Sequence, residues 1–289
     1  MAADLPAPPD ARSARSWLFV PGDRPDRFDK AAASGADIVV HDLEDAVAPD
    51  AKARARDLVA RRLADGGVGC VRVNADGTPF HDADVAALAG APGLVAVLVP
   101  KAEDPRLLAQ LSGALGPDTA VVALVETALG QHRVHELAAA PGVTRLAFGS
   151  IDFALDIGAE DAALPLLLAR SSLVLASRVA GLPAPVDGVT QDLDDPAVVA
   201  RDTAAALGLG FGGKLCVHPR QVAAVNAGFR PSEAEVRHAR QVLAAVADGG
   251  TARLGGQMVD RPVVERARQV LARSGADPVA RPAAPFPPT

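Results

Sequence analysis

The stretch VVALVETALG (121–130) opens as five aliphatic residues and then closes on a carboxylate, Glu126. A run that short, and that rich in β-branched side chains, reads as a strand buried on both faces. Strands of that kind belong to parallel sheets covered by helices. Working outward, runs of the same character recur at SWLFV (16–20), ADIVV (36–40), GCVRV (69–73), LVAVLV (94–99), AVVALV (120–125), VTRLAF (143–148), APVDGV (184–189) and GGKLCV (212–217). Segments of helical period lie between them, among them PDAKARARDLVARRL (49–63), DPRLLAQLSGAL (104–115) and DDPAVVARDTAAAL (194–207). The last two open on Asp and Pro, as helix starts do. Strand–helix units in that number predict a (β/α)8 TIM barrel over 15–230. A doubly wound open sheet fits less well, because no dinucleotide-type glycine fingerprint follows a strand.

The barrel does not use the whole chain. PSEAEVRHARQVLAAV (231–246), TARLGGQMVD (251–260) and RPVVERARQVLARS (261–274) read as a helix, an irregular segment and a second helix. They predict a C-terminal helical and lid appendage over 231–275. Residues 1–14 and 276–289 are rich in Pro and Ala and read as disordered tails.

The chain has 289 residues, 49% of them hydrophobic, and a formal net charge of −6. A mildly acidic chain without a Lys/Arg block argues against nucleic-acid partners and a membrane-surface role. No apolar run reaches the length of a membrane span, and the N-terminus lacks the apolar core of a secretory signal. The two cysteines, Cys70 and Cys216, sit inside apolar runs and read as buried thiols of a reduced, cytoplasmic protein.

In a barrel of this type, chemistry sits where the strands end. The residues there are charged or polar at nearly every strand: PGDRPDRFDK after the first, HDLEDAV after the second, Arg72 and Asn74, PKAE, Glu126, Asp152 in GSIDF, Asp187, and His218. Water at the barrel mouth accounts for several of these. It accounts poorly for Arg72, which precedes Val73 within a strand, and for Glu126. Glu126 and Asp152 belong to successive strands, so their carboxylates are expected to be neighbours. Two such groups repel unless one is neutral or a cation lies between them. An all-oxygen pair with open positions suits Mg2+; an ion pair with Arg72 is the alternative. His41 and His218 lack zinc-type spacing. Arg72 could hold a substrate carboxylate or an enolate oxygen, or pair with Glu44 or Asp45. Arg24, Arg27 and Lys30 follow the first strand, either as a cradle for an anionic ligand or as a solvated helix face.

Taken in order, SWLFVPGDRPDRFDKAAASGAD, HDLEDAVAP, VRVN, VPKAE, ALVETALG, LAFGSIDFALDIG, SRVAGLPAPVDGVT, GFGGKLCVHPRQV and GQMVDRP resemble the citrate lyase β-subunit-like (CitE-like) branch of the HpcH/HpaI aldolase family. The likeness runs from about residue 15 to about 270. It implies a (β/α)8 barrel, usually a homotrimer, and Mg2+-dependent cleavage of a C–C bond in a 3-hydroxyacyl thioester. The products are an acetyl-thioester and a 2-oxo acid such as oxaloacetate, pyruvate or glyoxylate. By motif, Glu126 and Asp152 resemble the metal ligands, and Arg72 the arginine on the substrate's carboxylate or carbonyl. Phe19, Arg24 and Lys30 resemble the coenzyme A contacts. Glu44 resembles a carboxylate near Arg72 and the metal's waters, and Asp260 the acid on a C-terminal lid that serves a neighbouring subunit. Two motifs depart mildly from the family pattern, at Val40-His41-Asp42 and at Asn74-Ala75. The resemblance also leaves open hydrolysis of malyl-CoA at the same site, and action on an acyl-carrier-protein thioester within a citrate lyase complex.

Overall fold

A computed structural model describes residues 10–246, 252–254 and 257–274. It divides into two compact units, one up to Asn226 and one from Ala227 onward.

The first unit is a closed barrel of eight parallel strands in sequence order. The strands are β1 (Ser16–Pro21), β2 (Ile38–Asp42), β3 (Gly69–Arg72), β4 (Leu94–Val99), β5 (Ala120–Val125), β6 (Val143–Phe148), β7 (Val186–Asp187) and β8 (Gly213–Cys216). Each pairs with its sequence neighbour, and β1 closes the ring on β8 through Trp17 opposite Leu215. The predicted helices form with their predicted starts. Asp104 and Asp195 accept the backbone N–H of Arg106 and Ala197 at the N-caps of Pro105–Leu115 and Pro196–Leu209.

Side chains alternate in and out along each strand. The inward set packs into one cluster that includes Trp17, Ile38, Val40, Cys70, Ala96, Leu98, Val122, Leu124, Ala147 and Leu215. Burial of side chains of this size contributes about 1.5–3 kcal/mol each. The same parity fixes the site. The next inward position beyond Cys70 is Arg72, beyond Val40 is Asp42, and beyond Leu124 is Glu126. Polar residues at the strand ends are therefore the top layer of the barrel interior.

At the opposite end, Arg145 of β6 is buried, and among the described residues no carboxylate lies at hydrogen-bond distance from it. It donates to the carbonyls of Ala11 (3.0 Å), Ala14 (2.7 Å) and Ala184 (2.7 Å). Burial holds its pKa down at about 10, against the pull of Asp10 and Asp37. Here the expectation of a disordered tail over 1–14 needs correction. Ala11 and Ala14 are buried with the barrel core, because a buried guanidinium needs acceptors and this segment supplies two. Residues 1–9, and the predicted tail at 276–289, lie outside the described residues.

The second unit is a helix pair, Glu233–Ala245 and Arg261–Ser274. Ser232 and Glu235 form a reciprocal capping box at the first helix. The core holds Ala239, Val242, Val259, Ala267 and Leu271. The segment expected to be irregular contains a short antiparallel pair instead, with Ala252–Leu254 against Gln257–Val259. Val259 packs into the helix core, which gives three-residue strands a partner they lack alone. Among the described residues, no helix is long and apolar enough to cross a membrane.

Candidate active site

The barrel mouth holds a cavity of about 870 Å3 whose lining includes Phe19, Arg27, Lys30, Asp42, Arg72, Glu126, Asp152 and His218.

Glu126 follows β5 and is 1% exposed. Its Oε1 accepts the backbone N–H of Lys101 at 2.8 Å. Burial, and next the charge of Glu44, push its pKa up to about 8. Across from it, Gly149 directly follows β6. A Cβ built there would lie 2.6 Å from the Cβ of Glu126, so only glycine lets the two strand ends approach. Three residues on, Asp152 sits in the first turn of the helix Ser150–Ile157, where the helix dipole favours a carboxylate. Strand β6 and this helix thus bring Asp152 into the cavity that Glu126 lines. No hydrogen bond or ion pair engages Asp152 among the described residues.

Arg72 ends β3 and is held from three sides. Its Nε and Nη2 donate in a fork to Asp42, at 2.8 and 2.6 Å. Its Nη1 lies 3.0 Å from Glu44 and 3.4 Å from Asp45. Its guanidinium stacks 4.8 Å from the Phe19 ring. Burial opposes the charge, but Asp42, Glu44 and Asp45 raise its pKa on balance. A fork this constrained points the remaining donor edge in a fixed direction.

The loop after β2 is fixed from within. Asp42 accepts the N–H of Glu44 and of Ala46. Buried Lys52 donates to the carbonyls of Leu43 and Glu44, each at 2.9 Å. Glu44 is buried, and burial raises its pKa although Arg72 and Lys101 oppose this. Lys101 Nζ donates to Glu44 Oε1 at 2.6 Å.

Several expectations change. Arg24 turns outward and pairs with exposed Asp26 at 3.0 Å, while Arg27 and Lys30 line the cavity. Phe19 lines it too, but with its face under Arg72. Asp187 is buried below the mouth in a fork from Arg170, at 3.1 and 2.5 Å, with Lys214 at 3.8 Å. His41 faces the edge of Phe28 at 4.6 Å, and burial lowers its pKa to about 4. It is a neutral core residue. Asp260 belongs to the second unit and accepts the N–H of Val263 at the start of Arg261–Ser274. Asp42, Lys52 and Lys101 were not singled out from sequence. The double acidic motif DLED hinted at Asp42; nothing local marks the two lysines.

A buried carboxylate with a raised pKa, a partnerless carboxylate in the same cavity and a fixed guanidinium suit a divalent cation and an anionic substrate. The donor set is all oxygen, which fits Mg2+ rather than zinc.

The profile of the HpcH/HpaI aldolase/citrate lyase family matches residues 15–219. The chain belongs to that family. Its barrel and its family are those of a carbon–carbon lyase. A citrate lyase subunit beta-like protein of Deinococcus radiodurans is 37% identical, with 89% of this chain and 96% of that one covered. A (3S)-malyl-CoA thioesterase of Cereibacter sphaeroides is 36% identical, with 91% and 95% covered. Among solved structures, CitE of Mycobacterium tuberculosis in complex with magnesium, acetoacetate and coenzyme A superposes with a TM-score of 0.79. It is 36% identical, with 91% of this chain and 99% of that one covered.

Proposed function

We propose that this chain is a Mg2+-dependent lyase that cleaves a 3-hydroxyacyl-CoA into acetyl-CoA and a 2-oxo acid. The observation that carries this reading is the barrel mouth itself: buried Glu126 and unpaired Asp152 in one cavity with Arg72. Glu126 and Asp152 would hold the ion. When bound, the ion supplies Lewis acidity that eases loss of the substrate hydroxyl proton.

The chain's own residues do the rest. Asp42 and Phe19 hold the Arg72 guanidinium in the cavity, where its positive charge faces the negative charge that develops on the leaving enolate. As the deprotonated hydroxyl collapses to a carbonyl, the C–C bond breaks and its electron pair leaves on the acetyl-thioester carbon. Asp260, serving the site of a neighbouring copy, supplies a proton to that carbon, while the proton of the substrate hydroxyl passes to solvent. Arg27 and Lys30 on the wall suit the several phosphates of coenzyme A, which favours free CoA over an acyl carrier protein. The resemblance supports a homotrimer. Leu155 (78% exposed), Leu164 (81%) and Leu168 (81%) are large apolar side chains left open to solvent, as a contact between copies would need. The free, buried thiols of Cys70 and Cys216 suit a cytoplasmic setting.

The thioesterase relative favours a second reading, in which water attacks the thioester at the same site. Product analysis separates the two. A panel of citramalyl-, malyl-, β-methylmalyl- and citryl-CoA with Mg2+ should give acetyl-CoA and an oxo acid from at least one member. Free CoA with the intact 2-hydroxy acid would establish hydrolysis instead.

A further inference from the structure

Lys101 has no place in the steps above, yet it carries unusual backbone geometry. Among the described residues it is the only one other than glycine with positive φ, at +46°. That conformation costs a residue with a side chain about 1 kcal/mol or more, so its surroundings must hold it there. Two contacts do so. Its N–H donates to Glu126 Oε1 at 2.8 Å. Its Nζ donates to Glu44 Oε1 at 2.6 Å and stands 3.8 Å from Glu126 Oε1. On the far side of Glu44, Arg72 Nη1 lies 3.0 Å from Oε2. Each oxygen of Glu44 therefore faces a different cation. An ordinary ion pair at the barrel rim would explain the ammonium but not the turned backbone, which lets one residue serve both carboxylates.

We propose that Lys101 is a positioning residue: it ties Glu44 back so that Glu44 does not become a third ligand of the cation held by Glu126 and Asp152. The proposal rests on the metal reading of those two carboxylates. Two carboxylates leave coordination positions open for a chelating oxo acid and water. A third would bind the ion more tightly and occupy a position that the substrate needs. Among the described residues, no three acidic, imidazole or thiol side chains converge closely enough to hold a metal, although one ammonium, Lys101 Nζ, stands within 4 Å of both Glu44 and Glu126. The arrangement thus trades metal affinity for open coordination.

The test is calorimetric titration of Mg2+ into the wild type, Lys101→Met, Lys101→Arg, Glu44→Gln, Lys101→Met with Glu44→Gln, and Glu126→Gln, with kcat measured in parallel. Lys101→Met should bind Mg2+ about tenfold more tightly, the scale of losing one nearby positive charge and gaining a carboxylate. Its kcat should fall about tenfold or more. Lys101→Arg, which keeps the charge, should stay within about twofold of the wild type. In the Glu44→Gln background the tightening should vanish. Tightening that persists there would overturn the proposal, because Lys101 would then be a simple competitor for the metal's place. Unchanged or weaker binding in Lys101→Met would overturn it as well, and so would tightening in Lys101→Arg as large as in Lys101→Met. Glu126→Gln tests the premise separately: if it binds Mg2+ as the wild type does, the metal reading itself fails.

Discussion

Glu126 and Arg72 owe their roles to parity. Each is the next inward position after a packed apolar side chain; Glu126 was legible because it closes an apolar run, and Arg72 because it interrupts one before Val73. Asp42 and Lys101 were not legible in the same way. The partner of Asp42 lies thirty positions away, at Arg72, and sequence pattern does not report a positive φ at Lys101. His41, which lacks zinc-type spacing in the sequence, is buried against Phe28. Its pKa falls from 6.5 to about 4 in the folded chain. The unfolded chain therefore binds a proton that the folded chain refuses, and stability should drop as pH falls from about 6.5 towards 4. The loss is about 2 kcal/mol at about pH 5 relative to neutral pH. Urea unfolding at the two pH values measures it, and His41→Met should remove that part of the slope. An equal slope in both proteins would show that His41 titrates normally.

The eight strands and the capped helices were readable as elements, because buried parallel strands leave continuous apolar runs and the Asp-Pro starts mark helix ends. Two elements were not. The pairing of Ala252–Leu254 with Gln257–Val259 is too short to show alternation, and its support comes from the helices around Val259. The N-terminal segment reads as a tail by composition, yet its carbonyls at Ala11 and Ala14 solvate Arg145. Its structure is imposed by a residue 131 positions away. Removing residues 1–14 should therefore leave Arg145 with Ala184 alone and destabilise the barrel by about 3 kcal/mol. Chemical denaturation of the truncated chain measures this. An unchanged midpoint would mean that water replaces those carbonyls at no cost.

At the scale of the whole molecule, the barrel brings residues from β1, β2, β3, β5 and β6 to one mouth, so no single motif contains the site. The ordered set of motifs carried the family, while the geometry shows which members meet. Arg27 and Lys30 reach the cavity and Arg24 does not. Light scattering should give the mass of three chains, and Leu164→Glu with Leu168→Glu should lower it; a wild-type monomer would remove the homotrimer and the shared Asp260. The most direct test of the central claim is product analysis of the acyl-CoA panel with Mg2+, for the wild type and Asp152→Ala. Asp152 makes no hydrogen bond among the described residues, so its replacement should leave the fold intact and reduce activity at least about a thousandfold. The account predicts acetyl-CoA and a 2-oxo acid in equal amounts, dependent on Mg2+ and lost in Asp152→Ala. Free CoA with an intact 2-hydroxy acid, or full activity in Asp152→Ala, would contradict it.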